Sequence, residues 1–559
     1  MGFQLSPGVN VSEIDLTTVV PSVLTTAGAF AGTFKWGPAN QVVLVDSEIT
    51  LSKTFGTPDS NSAVSFFTAA NFLSYGNNLS VIRAVGANAY NAVANTGVRV
   101  QIDNSEQFHY SYLNQNNNNN LGAFVSRYPG TLGNSLSVTV IDTGNTGRSD
   151  LFTSAPGTSD FVAGAGGHDD EIHIVVVDTG GQFSGVKNTV LETFPFVSKA
   201  VDAINLSDGS TNYYKQVIYN NSKYIYAVDP PDYANTSSTW GRRSSTAFGS
   251  MSVKQVTYTL SGGVDDSPNG SNILTAYNTF SNKETYDISL ILTGDAVTGV
   301  QQGVIDIAKG RADCVAFISP PSSAVVNNAG SESDDIKSWI NSLTTSSYAV
   351  ADSGWKYQFD VYNNVYRWIP LNGDIAGLCV NTDNVRDPWY SPAGFNRGQI
   401  KNAIKLAWNP DKTYRDAIYA SGVNPVVSFP GQGIVLFGDK TLQNKPSAFD
   451  RINVRRLFIV LEKAIARAAQ SSLFEFNDEF TRAQFVAMIT PFLRDVQGRR
   501  GITDFKVVCD TTNNTGQVID SNQFVGDIYI KPARSINFIQ LNFVAVGTGV
   551  DFSTVVGAA

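Results

Sequence analysis

The chain of 559 residues has only three cysteines and three histidines, and their scarcity excludes several kinds of site. The cysteines lie far apart and are odd in number, so they indicate neither a disulfide framework nor paired CxxC zinc ligands. With three histidines, the chain offers few candidates for a catalytic triad of nucleophile, histidine and acid. No GxSxG motif accompanies them. We therefore expect a reducing compartment, no cofactor, no metal and no catalytic residues.

Charge is also sparse, and the sequence has no long apolar run. Charged residues make up 16% of the chain and the formal net charge is −9, which argues against broad binding to phosphate backbones. No uninterrupted apolar stretch reaches the roughly 18 to 20 residues that span a bilayer. The first residues, MGFQLSPGVNVSEIDL, do not resemble a secretory signal. We expect a protein that is made and kept soluble, with no direct nucleic-acid or membrane partner.

Glycine and aromatic residues, by contrast, are plentiful. The 48 glycines, 11% aromatic residues and 42% hydrophobic residues are typical of packed cores with abundant strand and turn. A chain of this length exceeds one hydrophobic core of ordinary size, so we expect two to four domains.

Both ends of the sequence predict isolated strands. Val9 and Val11 alternate with polar residues before Pro21, and residues 1–22 are interpreted as an extended arm. In INFIQLNFVAV the same alternation recurs, and residues 535–559 are interpreted as a second strand arm. Neither strand has a hairpin partner nearby in the sequence.

Between the arms, the sequence pattern divides the chain into three regions. Residues 23–90 and 256–375 alternate strand and helix patterns, among them DISLIL, CVAFIS and SYAVAD, which predicts an α/β middle domain. Residues 91–255 are rich in Asn, Gly, Ser and Thr, which is typical of an inserted β-rich outer domain. Residues 376–534 are interpreted as a C-terminal core domain. The predicted fold class is an α+β multidomain protein: an α/β core built from N- and C-terminal parts, terminal β-strand arms and the β-rich insert.

The C-terminal core region carries the strongest periodicity. NVRRLFIVLEKAIARAAQ predicts a helix with an apolar face opposite the basic residues Arg456, Lys463 and Arg467. Residues 481–484 fit a capping box that starts a second helix, which Pro491 is expected to kink. Two predicted strands follow, DFKVVCD and DIYIKP, joined by a long loop.

Two short motifs resemble ligand sites but depart from them. GIVLFGDKT resembles a phosphate-binding P-loop, yet Asp439 separates the last glycine from Lys440 and adds negative charge there. The run from His168 to His173 has metal-ligand residue types, but its spacing matches no established site. We expect a core strand and turn in the first case and a solvated loop before a strand in the second.

Two further alternatives concern the sheet and the basic helix. A Rossmann-type sheet would bind a cofactor at strand carboxyl ends, but TGDAVTG follows DISLIL where GxGxxG is needed. Between Arg451 and Arg500, nine Arg or Lys residues stand against five Asp or Glu residues, a net charge of +4 in an acidic chain. This basic surface is either a solvated helix face or an electrostatic contact with an acidic partner.

The chain resembles the tail sheath protein family of contractile-tailed bacteriophages (myoviruses) in eight strings that occur in the same order. These strings are SPGVNVSEIDL, SRYPGTLGNSLSV, LSGGVDD, GQGIVLFGDKTL, NVRRLFIVLEKAI, FEFNDEFTRAQF, GRRGITDFKVVCDTTNNT and IYIKPARSINFIQLNF. The resemblance extends from the first residues to about Phe543 and is most specific in the C-terminal third. The insert matches only through SRYPGTLGNSLSV and scattered residues.

The resemblance implies a structural subunit, not an enzyme, that stacks as hexameric rings around an inner tube. Contraction of the helical sheath would drive the tube through the target cell envelope for genome or effector delivery. Related sheaths exchange terminal strands by β-augmentation. The implied inter-subunit arm residues are Val9, Val11, Ile14, Ile536, Phe538, Ile539, Leu541 and Phe543. The implied receiving strands, 505–510 and 527–531, contain Phe505, Val507, Cys509, Ile528 and Ile530. The implied tube-facing residues are Arg456, Lys463, Arg467 and Arg494.

The resemblance also implies partners and a location. The partners are further copies of the chain, the inner tail tube protein, and baseplate and tail terminator proteins. The location is the virion tail, assembled in the host bacterial cytoplasm. The alternatives are a passive capsid- or surface-layer-type lattice protein and, from another class, a nucleotide hydrolase that uses the near P-loop.

Overall fold

The computed structural model describes residues 20, 23–95, 97–113, 121–537 and 540 of the chain. These residues form a mixed α and β protein with several separate sheets. None of the helices in the described ranges combines the length and the apolar character needed to cross a membrane.

The first part of the chain forms three strands and two helices, and both helices lie between the antiparallel strands β2 and β3. Its elements are β1 (Gly28–Gly32), β2 (Val42–Val45), α1 (Glu48–Phe55), α2 (Ala63–Leu73) and β3 (Leu79–Arg83). Helix α1 begins after Ser47, whose hydroxyl accepts the Thr50 N–H at 3.2 Å and so satisfies one free donor of the first turn. A Cβ at Gly28 would lie 2.6 Å from the ring of Phe72, so only glycine lets α2 pack this closely on β1.

The insert forms a separate antiparallel sheet with its own core. Its elements are α3 (Ser105–Phe108), β4 (Phe124–Ser126), β5 (Leu136–Asp142), α4 (Asp160–Gly164), β6 (Glu171–Asp178), β7 (Thr189–Ser198), α5 (Tyr214–Asn221), β8 (Ile225–Ala227), α6 (Tyr233–Thr236) and β9 (Gln255–Thr259). The four-stranded sheet has the order β7-β6-β5-β9. Alternating apolar residues of β5 and β6 pack against Tyr214 and Trp240.

The central part of the chain alternates strands and helices before ending in two hairpins. Its elements are α7 (Gly270–Asn278), β10 (Leu290–Leu292), α8 (Thr298–Arg311), β11 (Val315–Ile318), α9 (Glu332–Asn341), β12 (Ala349–Asp352), β13 (Trp355–Asp360), β14 (Val365–Pro370), α10 (Asn372–Val385), β15 (Lys405–Leu406), α11 (Lys412–Ala420), β16 (Val423–Asn424), β17 (Val426–Phe429) and β18 (Gly433–Leu436).

One seven-stranded sheet joins the first and central parts. Its order is β16-β12-β11-β10-β1-β3-β2, and all neighbouring pairs are parallel except β2 with β3. Gly28 of β1 aligns with both Leu290 and Leu79, so residues far apart in the sequence are sheet neighbours. Apolar clusters cover both faces, which explains why these strands are continuous apolar runs.

The last part of the chain packs two long helices against a two-stranded sheet. Its elements are α12 (Ile452–Ala469), α13 (Glu479–Gly498), β19 (Ile502–Val508), α14 (Gly516–Asp520) and β20 (Asp527–Pro532). The predicted N-cap of the second helix, Thr481, is wrong by three residues. The cap is Asp478, whose carboxylate accepts the Thr481 N–H at 2.8 Å, and Thr481 itself lies inside the first turn. Pro491 lies inside α13, which continues to Gly498.

Candidate functional site

The sheet of β19 and β20 is small and has unpaired edges. The two strands are antiparallel, with Phe505 opposite Ile530 and Val507 opposite Ile528. Among the described strands they pair only with each other, so each has an outer edge of backbone N–H and C=O groups. Such edges can accept a further strand from another chain.

The helices α12 and α13 support one face of the two strands, and hydrogen bonds of Asn514 fix the loop that connects them. The four facing residues, Phe505, Val507, Ile528 and Ile530, are half-buried against the helices α12 and α13. Cys509 lies one residue beyond β19 and is buried, so its predicted place within a receiving strand is wrong. The buried Asn514 accepts the Val525 N–H at 2.9 Å and donates to the Val525 carbonyl at 2.8 Å, which fixes the loop between the strands.

Segments near both ends of the described chain contact the module formed by α12, α13, β19 and β20. Val20 packs in the same apolar cluster as Leu457, Ile489 and Ile502. At the other end, the Ala533 N–H donates to the Gly501 carbonyl at 3.1 Å directly after β20. Of the predicted arm residues, Ile536 is exposed. The others lie outside the described residues: Val9, Val11, Ile14, Phe538, Ile539, Leu541 and Phe543.

The predicted basic stripe on α12 is not a continuous exposed surface. Arg456 is only 4% exposed and donates to Asp383 of α10 at 2.5 Å and to the Cys379 carbonyl at 3.4 Å. The prediction that Arg456 faces solvent is therefore wrong. Its side chain links two helices inside the protein, because an arginine can be buried when a carboxylate and a carbonyl satisfy it.

Lys463 and Arg467 share the carboxylate of Asp287, and Lys463 also lies 3.8 Å from the carboxylate of Asp313. Lys463 donates to Asp287 at 2.9 Å and to the Ile288 carbonyl at 2.8 Å, and Arg467 also pairs with Asp287. Burial opposes ionisation of Asp287, but these two cations outweigh it and hold its pKa below the usual range. The side chain of Lys463 is mostly buried, whereas that of Arg467 is partly exposed. Lys463 and Arg467 thus tie α12 to the segment directly before the strand β10.

Helix α13 presents an outer face of small residues. Ala483, Ala487 and Pro491 are exposed on it, and Arg494 continues the row at the same helical spacing. Of the four predicted tube-facing residues, Arg467 and Arg494 are exposed, whereas Arg456 is buried and Lys463 is only partly accessible. Small side chains allow another backbone to approach closely, so this face suits a contact between proteins.

The connection between α12 and α13 carries an aromatic loop that the sequence analysis missed. We give this name to Leu473, Phe474 and Phe476 of the connection together with Phe480 in the first turn of α13, and all four are strongly exposed. Phe474 has a φ of 70°, a conformation that costs energy for a bulky residue and clusters at functional sites. The available signal was three apolar residues, Leu473, Phe474 and Phe476, in a turn between helices, because a turn normally exposes polar side chains.

Hydrogen bonds of Asn477 fix the aromatic loop to the rest of the module. Asn477 donates to the Gln523 carbonyl at 2.8 Å and accepts from Arg482 at 2.8 Å. Arg482 is almost fully buried. The exposed aromatic groups are therefore presented in a set geometry on the same module as β19 and β20.

In the segment that resembles a P-loop, Lys440 and Thr441 form hydrogen bonds with other residues of the chain. Lys440 donates to the Tyr419 carbonyl at 2.7 Å, and the Thr441 hydroxyl donates to the Phe449 carbonyl at 2.8 Å. The Lys440 backbone N–H donates to the side-chain oxygen of Asn424 at 2.7 Å. The groups that would cradle a phosphate thus hold the chain itself, in agreement with the predicted strand and turn.

The histidine run and the sheet edge are likewise structural. Across the described ranges, no three His, Cys, Asp or Glu residues could hold a metal ion. His173 lies buried in β6 and accepts the Phe196 N–H at 3.0 Å, and burial lowers its pKa. At the carboxyl ends of the parallel strands, Asn372 donates to the Gly294 carbonyl at 2.8 Å and accepts the Gly294 N–H at 2.9 Å. Helix α10 thereby fills the crevice where open sheets bind cofactors.

Comparison with protein families matches three regions of the chain. Residues 25–84 match the tail sheath protein Gp18 domain III N-terminal region, and residues 268–442 match the phage tail sheath protein central domain. Residues 444–545 match the phage tail sheath C-terminal domain. The matched regions include the seven-stranded sheet and the β19–β20 module.

Similarity to individual proteins covers nearly the whole chain. The tail sheath protein of Vibrio phage KVP40 is 35% identical and that of Enterobacteria phage T4 is 32% identical. Each alignment covers 99% of this chain, and 100% and 99% of the relatives respectively.

Among solved structures, the sheath tail protein from Listeria innocua has a TM-score of 0.53 at 11% identity, covering 90% of this chain and 94% of that chain. The contracted sheath complex of an extracellular contractile injection system has a TM-score of 0.51 at 12% identity, covering 99% of this chain and 100% of that one. At these identities the two structures establish a shared fold.

Proposed function

This chain belongs to the phage tail sheath protein family, and from that membership we propose that it polymerises as stacked hexameric rings around an inner tube. It is a structural component of a contractile tail, and its relatives are structural proteins, not enzymes. Contraction of the assembled sheath would drive the tube through the target cell envelope to deliver a genome or effector. Polymerisation by head-to-tail contacts that do not close on themselves produces a helical array of this kind.

The observation that carries this proposal is that Val20 and Ala533, near the two ends of the chain, both contact the module whose two-stranded sheet has unpaired edges. Val20 enters the apolar core beneath β19 and β20, and Ala533 leaves directly after β20. Residues 9–14 and 536–543 would extend from there to neighbouring subunits and add strands to their β19–β20 sheets. Main-chain hydrogen bonds would supply adhesion, and the alternating apolar side chains would set the register.

Exchanged strands would let the subunits move without separating. Contraction would release stored free energy as subunits rotate as rigid bodies, while the added strands keep neighbours connected. The described part of the chain favours rigid-body motion, since α12 is tied to α10 through Arg456 and to the sheet through Lys463. No nucleotide is required for such a transition.

We place the tube contact on the outer face of α13 and on the partly exposed Arg467. A contact that must slide is better served by a few exposed charges than by a large apolar interface. The aromatic loop is better suited to a lasting contact, and we assign it to the interface with a neighbouring subunit in the sheath. Exposed apolar groups of this size mark protein contacts.

The proposed domain organisation follows the predicted one. Residues 23–90 and 256–375 would form the middle domain, and residues 376–534 the core domain next to the tube. The insert, residues 91–255, would project outward, away from the tube. Baseplate and tail terminator proteins would bind the two ends of the sheath, and assembly would take place in the host bacterial cytoplasm.

Truncation of the two ends tests the arm proposal. Deleting residues 1–15, or all residues after Ala533, should abolish tubes in negative-stain microscopy and leave a folded monomer by circular dichroism. Deleting only residues 546–559 is the matched control, because it retains the proposed exchanged strand, residues 536–543, and should leave tubes intact. Tubes from both long truncations would refute the arm model, and flat sheets or closed shells from the full chain would favour a passive lattice protein.

A further inference from the structure

The segment that resembles a P-loop forms a polar cluster on the surface where the C-terminal segment begins. Asp439 lies at its centre and is only 3% exposed. One carboxylate oxygen accepts from the Ser391 hydroxyl at 3.0 Å and the Ser535 hydroxyl at 2.7 Å. The other accepts from Arg451 at 3.2 Å and from the Asn537 side chain at 3.2 Å.

Tyr419 of α11 completes the cluster. Its hydroxyl accepts from Arg451 at 2.6 Å and from Asn537 at 2.8 Å, and it lies 3.5 Å from the Asp439 carboxylate. Asn537 is thus held by two acceptors and Ser535 by one. The intervening Ile536 is strongly exposed, so polar contacts, and not apolar burial, hold this stretch.

Asp439 is itself fixed to the body of the protein. Its carbonyl accepts the Ile452 N–H at 2.8 Å at the start of α12. The next residue, Lys440, is bonded through its backbone to Asn424 at the end of β16. A Cβ at Gly438 would lie 2.9 Å from atoms of both Asn424 and Tyr419, so a glycine is needed for this close approach. The anchor is therefore fixed to the seven-stranded sheet and to the start of α12, and not to the strands β19 and β20.

We infer that Asp439, Tyr419 and Arg451 form a docking site for residues 535–537 of the same chain, which fixes the point and direction in which the C-terminal arm leaves the subunit. We call this the arm anchor. It would transfer force from an exchanged strand to the large sheet during contraction. A displaced strand cannot meet its partner in register, so the anchor would also set the geometry of assembly. This inference rests on the proposed exchange of the C-terminal arm.

Two substitutions on the arm side of the anchor test it without disturbing the buried side. Ser535→Ala with Asn537→Ala removes the donors and leaves Asp439, Tyr419 and Arg451 intact. In the full-length protein at low concentration, trypsin should cleave after Arg534 about tenfold faster, because the segment is no longer held by side-chain hydrogen bonds to a charged acceptor. The thermal midpoint should stay unchanged, and the yield of tubes should fall at least severalfold.

Two further variants serve as controls. Ser535→Thr keeps the hydroxyl donor and should retain both protection from trypsin and tubes. Asn205→Ala with Ser210→Ala removes an exposed pair of the same residue types in the insert, which is bonded at 3.0 Å, and should change neither cleavage after Arg534 nor the yield of tubes.

The outcomes separate the anchor from the wider proposal. Unchanged cleavage after Arg534 in the double variant would overturn the anchor, whatever happens to the tubes. Faster cleavage with normal tubes would overturn its role in assembly. If the chain truncated after Ala533 still forms tubes, the proposed exchange of the C-terminal arm fails, whereas the cleavage measurement on the full chain still decides whether the anchor exists.

Discussion

Asp352 is a fully buried acid at the carboxyl end of β12. It lies 2.7 Å from the Ser319 hydroxyl and accepts the Gly354 N–H at 2.9 Å. Burial, opposed by these hydrogen bonds and assisted by the nearby charge of Asp374, raises its pKa to about 8. Because helix α10 covers this end of the sheet, a ligand cannot reach the Asp352 carboxyl, and the carboxyl has a structural role.

This carboxyl should make stability depend on pH. An unfolded aspartate ionises near pH 4, whereas the folded Asp352 stays protonated to about pH 8. The folded state therefore holds one more proton across this window, and the free energy of unfolding should fall as pH rises, by at most about 1.4 kcal/mol per pH unit. Denaturant titrations from pH 5 to 8 should show a shallower decline for Asp352→Asn. An identical slope in both proteins would contradict the assignment.

The Arg456–Asp383 pair is a second residue-scale feature with a measurable consequence. Both side chains are 4% exposed, and one oxygen of Asp383 has no hydrogen-bond partner among the described residues. Arg456→Ala leaves a buried, unpaired carboxylate and should lower the free energy of unfolding by about 3–5 kcal/mol. Chemical denaturation measures this loss. Arg494→Ala, on the exposed face of α13, is the control and should change stability by less than about 0.5 kcal/mol.

At the scale of elements, substitutions in the aromatic loop should weaken assembly without lowering the stability of the monomer. Phe474 and Phe476 are almost fully exposed, so they bury little surface in the monomer. Phe474→Ser with Phe476→Ser should leave the thermal midpoint within about 2 °C of the parent. Tube formation, followed by sedimentation, should require a higher protein concentration. Substituting the buried Phe485 of the same module is the contrasting control, because it should unfold the helices. Unchanged assembly would show that the loop is not buried in the sheath.

The helices and small sheet of the last part of the chain act as one element group. Buried residues of α13 pack beneath β19 and β20, and Asn514 and Asn477 fix the two long loops. The exposed features of this group are two strand edges, a face of small residues and the aromatic loop. A single rigid module thus presents three surfaces of different chemistry, which suits a subunit that has several neighbours.

At the scale of the whole molecule, the insert can be removed at two adjacent points. Tyr90 and Val264 exchange backbone hydrogen bonds of 3.0 Å in both directions, so the chain leaves and re-enters the body at one place. Replacing residues 91–263 with a short Gly/Ser turn should leave the seven-stranded sheet folded, because domains with adjacent ends tolerate excision.

The excised protein should still unfold cooperatively and form tubes of smaller outer diameter in negative-stain micrographs. An unfolded product would show that contacts such as that of Arg83 with the Pro129 carbonyl, at 2.8 Å, are essential for the body. A folded product without tubes would place the insert in an assembly interface, against its proposed outward position.

Much of the molecule could be predicted from local sequence pattern. Apolar runs such as DISLIL and CVAFIS are strands β10 and β11, and the periodic segment NVRRLFIVLEKAIARAAQ is helix α12. Family membership also followed from ordered motifs, and the comparisons confirmed it. These features depend on residues within a few positions of one another, where side-chain periodicity matches the geometry of the backbone.

The sequence alone determined the element types, the α+β class and the sheath family, whereas the tertiary structure decided which polar residues are free to act. Arg456 looked exposed because its helical position lies opposite the apolar face, yet Asp383, 73 residues earlier in the chain, buries it. In the sequence, Asp439 is the residue that interrupts a P-loop-like motif. In the structure, its carboxylate accepts hydrogen bonds from Ser535 and Asn537, near the C-terminal end of the chain. Periodicity records only local neighbours, and the pairing of a buried charge depends on which distant segments the fold brings to it.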